Sequence, residues 1–422
     1  MWQKLLQAWK IKEVRNSLLF VVLMMVLFRF LANIPLPGVD IVALKQFFAS
    51  NQVLGLLNLF SGGTLENFSV IAMGVAPFIT ASIIFQLLGM IVPKIEELQK
   101  EGEAGRQKIT QWTRITTIPL AIIQSIGIIS LMNSSPVPIL TRQDPLFYVT
   151  IVMTVTAGTI FLMWIGELIS EKKVGNGISL LIFAGIVSSL PSTIQRALVT
   201  YDPSQLMTWL SYIGIAVITV VGVVFISEAQ RNVPIQYARQ VRGMGSGVAT
   251  HMPLRVLMAG VIPIIFAISL LIMPTMVGQF FLTAKTPWIA EAARWLLTIL
   301  QNQLIYGALY FLLVVGFTYF YTAVIFKPEQ VAENLQKQGG FIPGIRPGVP
   351  TADYLQHVIN RITFAGSIFL GLIAVLPVAM QASTGSSTFA IGGTSLLIVV
   401  TVIIESVKQV ESHVTMREYD VY

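Results

Sequence analysis

The chain has 422 residues, of which 55% are hydrophobic and 11% charged, and its formal net charge is +7. This composition excludes an ordinary soluble domain and indicates a protein that crosses a membrane many times. Because the chain contains no cysteine, disulfides, thiolate nucleophiles and thiolate metal sites are excluded as well.

Ten apolar stretches are long enough to cross a bilayer as helices, which takes about 20 residues each. The first follows a basic segment and has no small-residue cleavage site after it, so we interpret it as a retained span. The sequence therefore predicts an all-α polytopic membrane protein. In chain order the predicted spans are about 18–34, 70–92, 112–132, 147–166, 178–194, 206–226, 254–276, 303–326, 362–380 and 394–410.

The second predicted span is preceded by an apolar piece that ends at a break, Ser61-Gly-Gly-Thr64. The piece before the break, about 53–60, is too short to cross the bilayer, so it must be buried in protein or line a water-filled cavity. A short helix that stops before a full span is typical of an element that fills a pore. On the residues alone, a buried packing element is an equally good interpretation.

Lysines and arginines are distributed unevenly among the segments that join the spans. Arg29 lies within the first span. Only five of the 27 basic residues lie on one predicted side of the membrane: Lys45, Arg142, Arg196, Lys285 and Arg294. Basic residues are enriched on the cytoplasmic side of membrane proteins. The side with more basic residues, which includes both termini, is therefore predicted to be cytoplasmic.

Ten spans divide into two halves of five, residues 1–200 and 201–422. Because five is odd, two related halves would be inverted relative to each other in the membrane. A segment with Gly and Pro occurs in both the second and the seventh span, at 73–77 and 259–263. Such residues let helices bend or approach closely, although the kinks of an ordinary helix bundle explain them equally well.

Few ionisable side chains are expected inside the membrane. Arg29 and Glu405 are the charged ones, and Gln86 and Gln124 are uncharged polar ones. An ion-coupled transporter usually carries several charges along its pathway, so a small-solute transporter with inverted repeats is the weaker functional alternative. For Arg29 and Glu405, a buried pair or a side chain that reaches the membrane surface is favoured over a proton relay.

Sequence motifs for catalysis and cofactor binding are missing. No Gly-Lys pair occurs, so there is no P-loop for nucleotide phosphates, and any ATP-driven motor must be another protein. The three histidines, His251, His357 and His413, are isolated from one another, which rules out a His-Glu-x-x-His zinc helix. The sequence thus predicts no catalytic residue, no metal site and no cofactor, and hence not an enzyme.

Two long cytoplasmic loops, about 228–253 and 327–360, carry basic residues. The first contains Arg242, and the second contains a Pro- and Gly-rich turn around Arg346. A turn that presents a guanidinium suits carboxylate or phosphate partners, which favours docking to RNA or to an acidic protein surface. The positive-inside rule alone also explains these charges, and that alternative stays open.

Eight short motifs resemble those of the SecY family, whose members form the central subunit of the bacterial protein-conducting channel. They occur in the family's order and extend over nearly the whole chain, so coincidence is negligible. The motifs are 33–38 (NIPLPG), 57–63 (LNLFSGG), 77–83 (PFITASI), 175–179 (GNGIS), 183–186 (FAGI), 259–263 (AGVIP), 341–348 (FIPGIRPG) and 392–398 (GGTSLLI).

The resemblance implies a clamshell of spans one to five and six to ten around an hourglass-shaped pore. A ring of branched aliphatic side chains at the constriction favours dewetting, which resists ions while a moving peptide is gripped with little specificity. The residues that match this ring are Val75, Ile79, Ile182, Ile186, Ile265 and Ile398.

The resemblance also implies a movable plug helix at about 53–68. A lateral gate is implied between spans two and seven, through which apolar signal sequences and membrane spans would enter the lipid. The matching plug residues are Leu57, Asn58, Phe60, Ser61, Gly62, Gly63 and Phe68. The matching gate residues are Thr80, Ile83 and Gln124 on one side and Leu257, Ser269 and Met273 on the other.

On the same basis, the chain is expected to be a passive channel subunit in the cell membrane of a bacterium, with an organellar membrane as the alternative. The expected partners are the small subunits SecE and SecG, membrane lipids, and secretory and membrane-protein substrates with signal sequences. Force would come from the SecA ATPase or from a ribosome. Arg242 and Arg346 are the expected docking residues for these partners.

The chain departs from the family pattern at two places. Residues 246–249 read SGVA where the family commonly has GGQS, and Leu257 stands where Asn is common. A polar contact between membrane helices contributes about 0.6 kcal/mol on average. This gate is therefore predicted either to open slightly more easily or to be closed by compensating packing.

Overall fold

The structure is a computed structural model that describes residues 9–50, 58, 61–133, 139–142, 144–199, 206–237, 250–258, 260, 262–282, 286–384 and 387–420. It is mostly helical, as the sequence predicts. The helices are α1 (Lys12–Ala32), α2 (Ile41–Ser50), α3 (Ala76–Ile91), α4 (Pro93–Lys100), α5 (Glu103–Asn133), α6 (Pro145–Glu171), α7 (Gly177–Val199), α8 (Leu206–Glu228), α9 (Ile262–Phe281), α10 (Pro287–Gln301), α11 (Gln303–Ile325), α12 (Pro328–Lys337), α13 (Val349–Thr384) and α14 (Ser387–Asp420).

Several helices are long and apolar enough to cross a membrane. In the described ranges five meet this test: α1, α5, α6, α11 and α13. The number rises to six if α3 and α4, which meet at an angle of 105°, count as one span. Shorter apolar helical stretches lie in α7, α8 and α9. Each of the ten predicted spans overlaps one helix, but the count of ten spans stays a prediction.

Two helices begin later than the hydropathy of the sequence predicts. α3 begins at Ala76 rather than at residue 70, with Pro77 in its first turn, where the missing N–H of proline costs no hydrogen bond. α9 begins at Ile262 rather than at 254. Apolar residues ahead of the two helices, such as Ile71, Met73 and Leu257, are buried in protein, which hydropathy alone does not distinguish from exposure to lipid.

A small antiparallel sheet is the exception to the predicted all-α fold. It has the order β2-β1-β3, formed by β1 (Gln230–Tyr237), β2 (Thr250–Arg255) and β3 (Gly340–Phe341). In β1 the buried residues Val233 and Ile235 alternate with exposed ones, which is the period of a half-buried strand. The sheet joins the two loops that the sequence predicts to be cytoplasmic.

Two buried apolar clusters hold the molecule together. The smaller one packs the sheet against the first turns of α13, through residues such as Val233, Leu254 and Leu355. The larger one extends through the helices. Within it, α9 packs against α3 and α5, and α14 packs against α7 and α1. These contacts connect the first five predicted spans to the last five.

Candidate pore and lateral gate

The six residues that match the pore ring lie on four chain segments. Val75 and Ile79 are one turn apart at the start of α3, and Ile182 and Ile186 are one turn apart on α7. Residues four apart share a helix face, so α3 and α7 each present a pair of aliphatic side chains. The other two lie on α9 and α14. All six are at most 4% exposed and belong to the larger apolar cluster.

The turn at 61–62 packs against two glycines that stand next to residues matching the ring. An ideal Cβ on Gly74 would lie 2.7 Å from the Cα of Ser61, and one on Gly185 would lie 2.1 Å from the Cα of Gly62. Non-bonded carbon atoms prefer a separation of about 3.5–4.0 Å, so a side chain at either glycine would collide with backbone. Each of these two glycines directly precedes a ring residue. The turn at 61–62 therefore lies between two segments that carry the ring.

Hydrogen bonds fold the 61–75 segment into turns rather than a helix. The Oγ1 of Thr64, which is fully buried, lies 2.8 Å from the carbonyl oxygen of Ser61 and 3.0 Å from that of Ala72. The Ser61 hydroxyl donates to the carbonyl oxygen of Asn58 (2.8 Å). The prediction of a plug helix is therefore wrong for residues 61–68, because these side chains satisfy the backbone groups locally.

The remaining plug residues are placed as follows. Leu57 and Phe60 lie outside the described residues. Gly63 donates its N–H to the carbonyl oxygen of Asn58 (2.7 Å). Phe68 is buried, and its carbonyl oxygen accepts the N–H of Leu36 (3.0 Å), just after α1. These bonds fix both sides of the turn that packs against Gly74 and Gly185.

Arg29, in the last turn of α1, contacts the same turn. Its Nη1 donates to the carbonyl oxygen of Gly62 at 3.2 Å, and an ideal Cβ on Gly62 would lie 2.8 Å from the Phe28 ring. The carbonyl oxygen gives the guanidinium a polar partner at a half-buried position. The sequence marks Arg29 as a charge within a span but does not predict its contact with the 61–75 segment.

The predicted gate residues lie where α9 packs against α3 and α5. The hydroxyls of Thr80 and Ser269 donate to carbonyl oxygens one turn earlier in their own helices, at 3.0 and 2.8 Å. Ile83 is buried, Gln124 is half-buried and Met273 is exposed. Within the described ranges both hydroxyls therefore bond inside their own helices and not across the gate, where apolar packing dominates.

Leu257 is the gate residue that the structure places outside a helix. It is buried in the connection between β2 and α9. Its Cδ2 lies 3.5 Å from the position of an ideal Cβ on Gly366 of α13. The side chain that replaces the family's common Asn therefore packs toward α13. The other family departure, 246–249, lies outside the described residues.

A hydrogen bond that sequence reasoning missed joins α3 to α11. The Oη of Tyr321 donates to Oε1 of Gln86, and Nε2 of Gln86 donates to the Ser82 hydroxyl (3.0 Å). The Phe266 ring of α9 packs edge-on against Tyr321, with 5.0 Å between the ring centroids. The sequence signalled Gln86 as a polar residue in a span, but its partner is 235 residues away.

The carboxylate of Glu405 lies beside the chain that leads into α9. An ideal Cβ on Gly260 would lie 1.6 Å from Oε1 of Glu405, and Gly260 has φ +57°. Both facts require glycine there. A carboxylate close to the start of a helix is stabilised by the helix dipole. The sequence favours a buried pair or a surface-reaching side chain for Glu405, and the structure places its carboxylate against the segment before the gate helix.

Arg346 lies in a turn between β3 and α13. The side chain of Arg346 is exposed. The backbone carbonyl oxygen of Arg346 accepts a hydrogen bond from the Thr351 hydroxyl (2.9 Å). Ile342 of the same turn is buried in the smaller apolar cluster. The guanidinium has no ion-pair partner within the described part of the chain. Arg242 lies outside the described residues.

The sequence is similar to translocase subunits over its full length. The family model that matches residues 69–407 is SecY. The protein translocase subunit SecY of Bacillus subtilis is 44% identical over 99% of both chains. That of Streptomyces galbus is 43% identical over 98% of both chains.

Solved structures share the fold at low sequence identity. A protein-conducting channel matches with TM-score 0.64 and 16% identity, over 93% of this chain and 90% of that chain. A SecY structure, whose plug domain is described as stabilising the closed state and maintaining a membrane seal, matches with TM-score 0.64 and 17% identity over 93% and 91%. Sec61 in a canine ribosome-channel complex matches with TM-score 0.60 and 16% identity over 93% and 90%.

The fold is that of a helical membrane protein, and solved protein-conducting channels share it. The identity to curated relatives goes further: the chain belongs to the SecY family of protein translocase subunits. The alternative of a small-solute transporter has no support from these relatives.

Proposed function

We propose that this chain is the channel subunit of a protein translocase. In this structure its pore would be closed by the aliphatic ring and the 61–75 segment. Unfolded secretory polypeptides would pass between two halves, 1–200 and 201–422, of five spans each. The observation that carries the proposal is the contact of Ser61 and Gly62 with the two glycines that precede ring residues. A backbone turn in that position fills the space beside the ring that a polypeptide would need.

The chemistry of the ring suits a channel that accepts many sequences. Aliphatic side chains make no directional bonds, so they can close around a peptide of any sequence while a dewetted constriction resists ions. The apolar packing of α9 against α3 and α5 suits a gate toward lipid, because apolar contacts are replaced by similar contacts with acyl chains when the helices separate.

The absence of cysteine allows a direct test of the pathway. Single cysteines at Ile79, Ile182 and Ile398 are expected to crosslink to a cysteine in a secretory chain stalled during transit. A cysteine at Leu312, exposed on α11, is the matched control and is expected to give no crosslink. Failure of all three ring positions to react, while the stalled complex is present, would refute the pathway.

Deleting residues 57–67 is expected to leave a folded channel that leaks ions. The deletion removes the turn beside the ring, including the Ser61–Asn58 bond, and it removes the acceptor of the Arg29 guanidinium, but it removes none of the six ring residues. Ion conductance across a planar bilayer measures the leak, and export of a secretory protein shows that the variant folds. A deletion variant that stays tightly sealed would mean that the ring closes the pore alone.

We infer that SecE and SecG associate with the chain and that a ribosome or the SecA ATPase supplies force from the cytoplasm. Related Sec61 and Ssh1 structures are described as complexes with ribosomes, which supports a docking surface of this kind. Arg346 lies in the 341–348 turn beside the sheet, within the loop that the sequence predicts to be cytoplasmic. We place the chain in the bacterial cell membrane with both termini in the cytoplasm.

Replacing Arg346 with alanine is expected to weaken binding of the motor or ribosome. Hydrogen bonds to a charged group contribute about 1.5–3 kcal/mol, which corresponds to about a ten- to hundredfold loss of affinity. Binding of purified SecA and of ribosomes to channels in proteoliposomes measures the change.

Lys337 provides the matched control for Arg346. It is an exposed cation of the same loop, but its Nζ is already 2.7 Å from the Glu333 carboxylate. The hydrogen bond and then the charge of Lys337 hold the pKa of Glu333 below its ordinary value. Lys337→Ala is expected to leave binding unchanged. Equal affinities for both variants and the parent chain would contradict the role of Arg346.

A further inference from the structure

The helix α10 connects α9 to α11 but cannot cross the membrane itself. Its 15 residues extend over about 22 Å, which is less than the hydrocarbon core of about 30 Å. The helix also carries Glu291 and Arg294, which would be costly inside the hydrocarbon core. Because apolar helices precede and follow it, α10 lies near a membrane surface, on the predicted non-cytoplasmic side.

One face of α10 packs onto the gate helix. Ala293, Leu297 and Leu300 are buried. An ideal Cβ on Gly278 of α9 would lie 3.2 Å from Cγ of Leu297 and 3.3 Å from a methyl carbon of Leu296. The small residue lets the two helices approach closely. A force on α10 is therefore transmitted directly to α9.

The opposite face of α10 presents two tryptophans to the surroundings. Trp288 is 71% exposed and Trp295 is 68% exposed. They are seven residues apart, which is about two helical turns, and the exposed Ala292 lies between them on the same face. We call Trp288, Ala292 and Trp295 the Trp face. At the adjoining start of α11, Leu304 is also exposed.

We propose that the Trp face binds the headgroup layer of the lipid bilayer and anchors the gate helix α9 at that depth. Indole rings combine an apolar body with an N–H donor and are enriched at membrane interfaces. The neighbouring Glu291 and Arg294 are exposed and of opposite sign, so the helix surface suits a layer of mixed charge. The face also continues into the exposed apolar side of α11, which belongs to a candidate membrane span.

A spin label on the Trp face tests this proposal. The native chain has no cysteine, so Ala292→Cys gives one labelled site without altering either indole. The channel complex is reconstituted in vesicles of phosphatidylethanolamine and phosphatidylglycerol. Collisions of the label with oxygen, which enters lipid, and with a nickel chelate, which stays in water, then report its depth. Gln336→Cys on α12 serves as the water control and Leu312→Cys on α11 as the hydrocarbon control.

The label at residue 292 is expected to collide more with oxygen than with nickel, at a depth of about 5–10 Å below the headgroup boundary. Nickel access equal to that at residue 336 would overturn the proposal, and so would protection from both agents, which would indicate a protein partner. Thr298→Cys, exposed on the same helix, repeats the test. The measurement needs no translocation and is independent of the proposed function.

A pair of substitutions tests whether the indoles are the anchor. Trp288→Ala with Trp295→Ala is expected to shift the label at residue 292 toward water, because two interfacial side chains are lost. Trp164→Ala removes a 54% exposed indole from α6 and is expected to leave the label unmoved. An unchanged depth in the double variant, or an equal shift in the control, would overturn the proposal.

Discussion

Replacing Gly185 with alanine is expected to open an ion leak through the resting channel. The new Cβ would lie 2.1 Å from the Cα of Gly62. Because the obstacle is backbone, no side-chain rotation relieves the overlap, and the turn must move away from the ring. Overpacking costs about 1–3 kcal/mol, and a free-energy change of this size shifts an equilibrium by about 5- to 150-fold toward the open state. Conductance across planar bilayers measures the effect.

Gly127 on α5 provides the matched control. It is also a glycine within a helix, but an ideal Cβ there has no neighbour within 4 Å. Both alanine substitutions gain the same helix propensity, about 1 kcal/mol relative to glycine. Gly127→Ala is expected to conduct like the parent chain. If both variants remain sealed while exporting protein normally, the contact between Gly185 and the 61–75 segment does not help to close the pore.

The helical parts of the channel were predictable because long apolar stretches need little tertiary information. The spacing of Val75 with Ile79 and of Ile182 with Ile186 already places each pair on one helix face. Hydropathy fails at 70–75, where residues such as Ile71 and Met73 are apolar because they are buried in protein. Nothing in a local window separates that burial from exposure to lipid.

The sheet was missed although its sequence carries a signal. In β1, Val233 and Ile235 alternate with polar or exposed residues, but their strand is short and lies in a basic loop. The pairings of β1 with β2 and β3 involve residues far apart in the chain. Strand pairing of this kind depends on the tertiary fold, which the local sequence does not determine.

The polar contacts of the spans also required the tertiary fold. Arg29, Gln86 and Glu405 stood out in the sequence because polar groups in a membrane need partners. Two of these partners, the Gly62 carbonyl oxygen and the Tyr321 hydroxyl, depend on how distant helices align. The sequence thus indicates that a polar residue in a span needs a partner, but it does not indicate which residue that partner is.

The hydrogen bond between Gln86 and Tyr321 offers a replacement for the polar contact that is lost where Leu257 stands in place of the family's common Asn. The sequence predicts that this gate has lost a polar contact at Leu257, and the structure shows Leu257 packed toward α13. A different polar contact joins α3 to α11, with Phe266 of the gate helix packed against its tyrosine. We propose that this bond helps to hold the closed gate in place of the absent contact.

Replacing Tyr321 with phenylalanine is therefore expected to favour the open gate. The substitution keeps the ring that packs on Phe266 but removes the hydroxyl that donates to Gln86. Hydrogen bonds between membrane helices contribute about 0.6 kcal/mol on average and about 1.7 at most, which corresponds to about a 3- to 18-fold shift. Export of a secretory protein with a defective signal sequence is expected to rise by that order.

Tyr310 on the same helix separates this effect from the loss of a hydroxyl in general. Its Oη is buried and has no hydrogen-bond partner in the described ranges, so Tyr310→Phe is expected to leave export unchanged. Gln86→Leu combined with Tyr321→Phe completes a double-mutant cycle. Because removing both partners leaves no unsatisfied acceptor, the double variant is expected to cost less than the two single changes together. Strictly additive effects, or equal export by the two tyrosine variants, would show that the bond does not hold the gate.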